Sequence, residues 1–121
     1  MRWPEVLRSK YEWSDSGPKA NRGQVTVIET LNNDYGGHLW VADHEDLFTG
    51  VVRCWIVTLA ITPLYRGQGL GSRLIQHATS IARARGAKSV GLNVSKSNKE
   101  AKSLYSTFGF SEARSTMMLN L

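Results

Sequence analysis

The chain has 121 residues, 41% of them hydrophobic, and its 15 Lys and Arg outnumber 10 Asp and Glu for a net charge of +5; this length supports one compact core and not two ordinary domains. No apolar run approaches the roughly 20 residues that cross a bilayer, and residues 1–25 lack an apolar leader core, so neither membrane insertion nor export is expected. The single cysteine, Cys54, excludes an internal disulfide framework and a cysteine-based metal cluster, and a cytoplasmic setting is expected.

Residues 1–23 are the least readable part, with Pro4, Gly17, Pro18 and Gly23 among scattered aromatics and at most a turn or two of helix over Pro4 to Lys10. From Gln24 the pattern becomes strand-like. Val25 and Val27 alternate with polar residues, an alternation that Glu29 to Leu31 can continue; Asn32-Asn33-Asp34-Tyr35-Gly36-Gly37 is turn chemistry, and His38 to Asp43 is the return strand. His44 to Gly50 interrupts it. Val51 to Thr62 is almost wholly apolar or β-branched, as expected of a long central strand covered on both faces.

A helix follows, because Leu70, Leu74, Ala78, Ile81 and Ala82 recur on one face, and Gly86 is its stop. Ser89 to Val94 reads as a short strand. Ser97-Asn98-Lys99-Glu100 has the form of a capping box opening a second helix, whose buried stripe is Ala101, Leu104, Tyr105 and Phe108 and whose end is Gly109. Phe110 to Leu121 closes the chain with one or two further β segments. The order β-β-β-α-β-α-β predicts an α+β domain, three-layered in the manner of α/β folds, with a mixed, mostly antiparallel sheet flanked by helices.

Charge is divided unevenly. Residues 24–64 carry Arg53 against Glu29, Asp34, Asp43, Glu45 and Asp46, net −4, whereas residues 65–121 carry nine bases against Glu100 and Glu112, net +7. A basic half suits a polyanionic ligand and an acidic half a cationic one, although solvated faces give the same composition.

The chemistry concentrates where the central strand meets the first helix, at Leu59-Ala60-Ile61-Thr62-Pro63-Leu64-Tyr65-Arg66-Gly67-Gln68-Gly69-Leu70-Gly71-Ser72. First-turn amides without partners and the positive end of the helix dipole can hold an anion, and glycines let a phosphate approach the backbone. The alternative is a tight turn that uses glycine for geometry alone. Two familiar motifs are excluded: Ser72 stands where a Gly-x-Gly-x-x-Gly fingerprint has its last glycine, and no Gly-Lys-Ser/Thr follows.

Arg66-x-x-Gly69-x-Gly71, placed after Leu59-x-Ile61-x-Pro63 and before an amphipathic helix, resembles the acetyl-CoA-binding motif of the GNAT superfamily of N-acetyltransferases. Asn98-x-x-Ala101-x-x-Leu104-Tyr105-x-x-x-Gly109-Phe110 resembles the second signature of that family. The likeness covers residues 50–121 well and residues 24–49 only as generic antiparallel strands. It implies a single GNAT-like domain over 1–121 with a shortened N-terminal part and residues 1–23 poorly defined. It also implies acetyl transfer from acetyl-CoA to a primary amine of a small molecule, a peptide or a lysine.

In that resemblance, backbone groups of Leu59, Ala60 and Ile61 pair with the pantetheine arm, and the main chain of Arg66, Gly67, Gln68, Gly69, Leu70, Gly71 and Ser72 holds the pyrophosphate. Asn98 lies near the pantetheine or acetyl group, or else only caps the helix. Tyr105 is the general acid for the leaving thiolate, or else a core tyrosine.

The long strand carries no carboxylate to deprotonate the amine, so Glu29, Asp43 and His44 are the remaining base candidates, none favoured. Cys54 is read as structural, and His38, His44 and His77 lack metal-ligand spacing, so no metal is expected. A catalytically weak or inactive acyl-CoA-binding module is the alternative function. Nucleic-acid binding through Arg83, Arg85, Lys88, Lys96, Lys99 and Lys102, with Trp3, Tyr11 and Trp13 stacking, ranks below both. Self-association as a homodimer is expected to complete the acceptor site.

Overall fold

The computed structural model describes residues 5–13, by their backbone alone, then 23–30, 34–46 and 48–121, with side chains from Gly23 onward except at Thr30. Five strands and two helices follow one another as β1 (Glu5–Trp13), β2 (Gly23–Thr30), β3 (Tyr35–Glu45), β4 (Val52–Ile61), α1 (Leu70–Ala84), β5 (Val90–Leu92) and α2 (Lys99–Thr107). The strands lie in sheet order β1-β2-β3-β4-β5, antiparallel as far as β4 and parallel between β4 and β5. This is the mixed, mostly antiparallel sheet with helices that the sequence predicts.

The core forms where α1 lies on the sheet. Leu70, Leu74, Ile75, Ala78 and Ala82 of α1 are buried, with Ile28, Leu39, Val41, Cys54 and Ile56 from β2, β3 and β4. Along β2, Gly23, Thr26 and Ile28 are buried, while Val25 and Val27 are only half-buried. Thr26 tolerates burial because its hydroxyl lies 3.2 Å from His77 Nε2 on α1. Burial without compensating charge lowers the His77 pKa. Asp43 is buried on the same face of β3 and meets the Arg85 guanidinium at 3.4 Å at the end of α1.

Several expectations change. Residues 5–13 form a strand where a helical turn was expected over Pro4 to Lys10, because β2 supplies a ladder of backbone partners from Glu5↔Thr30 to Trp13↔Gly23. β3 begins at Tyr35, inside the expected turn, and runs to Glu45, beyond the expected break at His44; Asn32 and Asn33 lie outside the described residues. β4 is not covered on both faces, since Val52 is 39% and Val57 is 45% exposed. β5 is three residues long rather than six.

The expected terminal β segments are absent: residues 111–121 are exposed and join no ladder. Ion pairs draw this segment elsewhere. Lys102 meets Glu112 at 2.7 Å, and Arg114 pairs with Asp46 in the β3–β4 connection while its guanidinium stands 5.7 Å from the Phe48 ring centre.

Asp46 organises that connection. Its Oδ1 accepts the amides of Phe48 (2.8 Å) and Thr49 (3.2 Å), and the turn is closed by Asp46 N to Val51 O at 2.9 Å and Gly50 N to Asp46 O at 2.8 Å. The Phe48 amide, helped by Arg114 and Thr49, holds the Asp46 carboxyl below the ordinary carboxylate value despite its burial.

Two outcomes follow. A depressed folded pKa means that the stabilisation by Asp46 is complete above the ordinary carboxylate range, about 4, and is lost as pH falls through the lower folded value. Thermal melts of the wild type and Asp46→Asn should differ at pH 7 and converge in strong acid. At Gly37, a Cβ would stand 2.4 Å from the Ala60 carbonyl oxygen and 3.2 Å from Ile61 Cα, which are backbone atoms of β4. Gly37→Ala should therefore lower the urea midpoint by an amount equivalent to about 1–3 kcal/mol, with the slope of the transition unchanged.

Candidate active site

The site begins with a mismatch of strand lengths. β5 pairs with β4 only through Cys54↔Val90, Trp55↔Gly91 and Ile56↔Leu92, yet β4 continues to Ile61. Among the described residues nothing forms a ladder with Val57–Ile61 on the side away from β3. The register with β3 also shifts here, from Trp40↔Thr58 to Val41↔Ile56, leaving Val57 as the extra residue of a β-bulge. The result is an open backbone edge at the point where two parallel strands separate. Leu59, Ala60 and Ile61 belong to that edge.

Gly91 explains why the strands meet closely before they part. A Cβ there would stand 3.0 Å from three atoms of the Trp55 indole, so the missing side chain lets the ring lie over the strand. The His44 ring meets Trp55 edge-on, 6.0 Å between centres. Trp55 Nε1 is buried and has no hydrogen-bond partner among the described residues.

Beyond Ile61 the chain turns tightly into α1. Thr62 N donates to Gly36 O at 3.0 Å, Pro63–Tyr65 make a single 3-10 turn, and Arg66 Nε donates to the Ile61 carbonyl at 3.0 Å. The charged side chain of Arg66 thus braces the strand exit. Gly67 and Gly69 have φ of 77° and 79°, and a Cβ at either would meet nothing within 4 Å, so glycine is required by the left-handed backbone rather than by crowding.

Gly69 is the N-cap of α1 and offers no capping side chain, and the first turn holds no acidic residue. The amides of Leu70, Gly71 and Ser72 therefore keep their donor capacity and the positive end of the dipole is uncompensated within the helix. Buried Leu70 anchors this turn. A Cβ on Gly71 would meet Leu104 Cδ2 at 3.4 Å, which shows how closely α2 approaches the start of α1.

α2 starts one residue later than the expected capping box. Asn98, not Ser97, is the N-cap, and its Oδ1 accepts the Ala101 amide at 3.1 Å. Tyr105 is half-buried on α2, its ring edge-on to Phe110 with 5.6 Å between centres, and desolvation raises its hydroxyl pKa. The phenol therefore stays protonated through neutral pH, as a proton donor must.

The base candidates are widely separated. Asp43 is buried beneath α1 with Arg85, His44 lies near the far end of β3 against Trp55, and Glu29 stands opposite Tyr35 at the end of β2. A different group stands beside the bulge. His38 Nε2 is 3.1 Å from Thr58 Oγ1, and its Nδ1 makes a short hydrogen bond with the Tyr35 hydroxyl. Its polar alternation with Leu39 marks it as facing away from α1, but its juxtaposition with Thr58, twenty positions along the chain, depends on strand register. The basic residues named for nucleic acid are partly engaged, Arg85 with Asp43 and Lys102 with Glu112.

These elements fit an acyl-CoA: a free strand edge for an amide-bearing arm leads into an anion-holding turn. Among curated proteins, N-alpha-acetyltransferase 30 of Schizosaccharomyces pombe is 33% identical over 93 residues, covering 63% of this chain and 62% of its own. The ribosomal protein bS18-alanine N-acetyltransferase of Escherichia coli K12 is 38% identical over 58 residues, covering 48% of this chain and 39% of its own. The chain thus spans less than two thirds of the length of these relatives. The crystal structure of a Trypanosoma brucei acetyltransferase superposes with a TM-score of 0.67 at 25% identity, over 82% of this chain and 69% of that one. Residues 3–110 match the acetyltransferase (GNAT) family, so with both the strand separation and the glycine turn in place the chain belongs to that family.

Proposed function

We propose that this chain is an N-acetyltransferase that moves the acetyl group of acetyl-CoA to the α-amino group of a protein N-terminus. The observation that carries the reading is the five-residue continuation of β4 beyond its pairing with β5, directed into the glycine turn of α1. The acceptor class is supported by the names of the relatives, which are N-alpha- and alanine N-acetyltransferases.

Leu59, Ala60 and Ile61 offer backbone donors and acceptors to the pantetheine amides, as a neighbouring strand would. The amides of Leu70, Gly71 and Ser72, approached through Gly67, Gln68 and Gly69, receive the pyrophosphate. Arg66 contributes positive charge while its Nε remains on the Ile61 carbonyl. Asn98 spends its Oδ1 on the helix cap, which leaves its amide NH₂ as the group able to reach the ligand. Bound acetyl-CoA supplies an acyl carbon activated as a thioester. Tyr105 gives its proton to the departing sulfur.

A second reading has one observation in its favour: neither β4 nor β5 carries a carboxylate to deprotonate an ammonium. The domain would then bind acyl-CoA and turn over weakly or not at all.

Isothermal titration with acetyl-CoA tests the cofactor, with Gly69→Glu and Gly71→Glu as variants. Saturable binding lost in both folded variants is expected; a folded wild type that does not bind overturns the assignment. Tyr105→Phe then separates the readings. It should slow acetylation of a peptide with a free N-terminus by about 100-fold or more and leave acetyl-CoA affinity nearly unchanged, whereas the binding module has no turnover to lose. A peptide with a blocked N-terminus and free lysine should remain unmodified.

A further inference from the structure

An N-terminal amine is mainly an ammonium at moderately acidic to neutral pH and must lose a proton before it can attack a carbonyl carbon. The acetyltransferase reading, on which this inference rests, therefore needs a proton acceptor near the start of the open edge of β4. The long strand has no acidic residue, and the base candidates on the other strands are placed away from it: Asp43 is held by Arg85 under the helix, Asp46 is fixed in its own turn, and Glu29 stands opposite Tyr35 on β2, two strands from β4.

His38, Thr58 and Tyr35 form a connected set beside that edge. Alternation along β3 sends Leu39, Val41 and Asp43 under α1 and puts His38 and Trp40 on the opposite face, where Tyr35 is 48% and Trp40 is 37% exposed. Thr58 follows the bulge residue Val57, so its hydroxyl stands where β4 leaves β5. The two ring nitrogens of His38 have different partners, Thr58 Oγ1 at 3.1 Å and the Tyr35 hydroxyl. With the proton on Nδ1, directed at the tyrosine oxygen, Nε2 is left as an acceptor for the threonine O–H.

We infer that Thr58 and His38 form a proton relay that deprotonates the acceptor amine, Thr58 touching the substrate and His38 taking the proton. One ammonium proton passes to Thr58 Oγ as the threonine proton passes to His38 Nε2, and His38 later returns it to water. The freed nitrogen bonds to the thioester carbonyl carbon and the C–S bond breaks. A second proton from that nitrogen is lost as the amide forms, balancing the one that Tyr105 gives to sulfur. Tyr35 holds the imidazole in place, and its oxygen can accept the Nδ1 proton of the tautomer that the relay uses. The relay needs no carboxylate on β4 or β5, and it enters from the exposed face, away from α1.

The test uses His38→Ala, His38→Gln, Thr58→Val and the His38→Ala/Thr58→Val double variant of the whole chain, with melting temperature, acetyl-CoA affinity and peptide N-acetylation measured on each. The relay predicts that kcat falls about 100-fold in every single variant, that the double variant is no slower than the slower single one, and that acetyl-CoA affinity stays within about twofold. Added imidazole should restore part of the rate to His38→Ala and none to Thr58→Val. Wild-type kcat in His38→Ala or His38→Gln overturns the relay while leaving the acetyltransferase reading intact. A fall in kcat matched by lost affinity or melting temperature, or one that imidazole does not rescue, makes His38 structural and also overturns it. A wild type that binds acetyl-CoA yet acetylates no free N-terminus overturns the acceptor assignment and the relay together.

Discussion

The proposed site depends on two neighbouring strands ceasing to pair. A β-strand edge buried in a protein must find partners for its amides and carbonyls, and a sheet normally supplies them along the full length of the strand. Here β4 has a partner in β5 for only three residue pairs, and beyond them, among the described residues, it is paired on its β3 side alone as it runs toward α1. The close contact of the Trp55 indole with Gly91 fixes the last shared stretch, and the bulge at Val57 bends β4 immediately afterwards. The gap is therefore built into the register and needs no moving part.

The turn at the other end of that free edge is shaped by dihedral angles more than by packing. Gly67 and Gly69 occupy left-handed backbone with open space where a side chain would be, whereas Gly37 is glycine because β4 leaves no room for a Cβ. The two uses have different physical consequences. Positive φ at Gly69 starts α1 without a capping side chain, so amides that a serine or aspartate cap would have engaged stay available to a ligand. Crowding at Gly37 instead keeps β3 tight against β4, which holds His38 within reach of Thr58.

Legibility varied with the range of the interaction that fixes each element. The periodicity of α1 was readable because Leu70, Leu74, Ala78 and Ala82 share one face whatever lies beneath them, and Gly86 with φ of 75° ends the helix as a glycine does locally. The second helix was readable to within one residue; its cap moved from Ser97 to Asn98 because both residues can cap and only backbone geometry chooses. The Glu5–Trp13 strand was not legible, since its partners are in β2 and its own sequence carries no clear alternation. The C-terminal segment has a strand-like composition, but its described course follows the ion pairs of Glu112 and Arg114.

By itself the sequence determined the glycine turn, the amphipathic helix behind it, the α+β order of elements and the motif pair by which the chain resembles its family, because all of these are set by neighbours within a few residues or one helical turn. Tertiary structure alone decided where β4 and β5 part, that Asp43 is committed to Arg85, and that His38 meets Thr58 and Tyr35. Strand register is the reason: a shift of a single residue would send His38 to the other face of the sheet, and no local signal in the chain specifies which rung of β4 it will face.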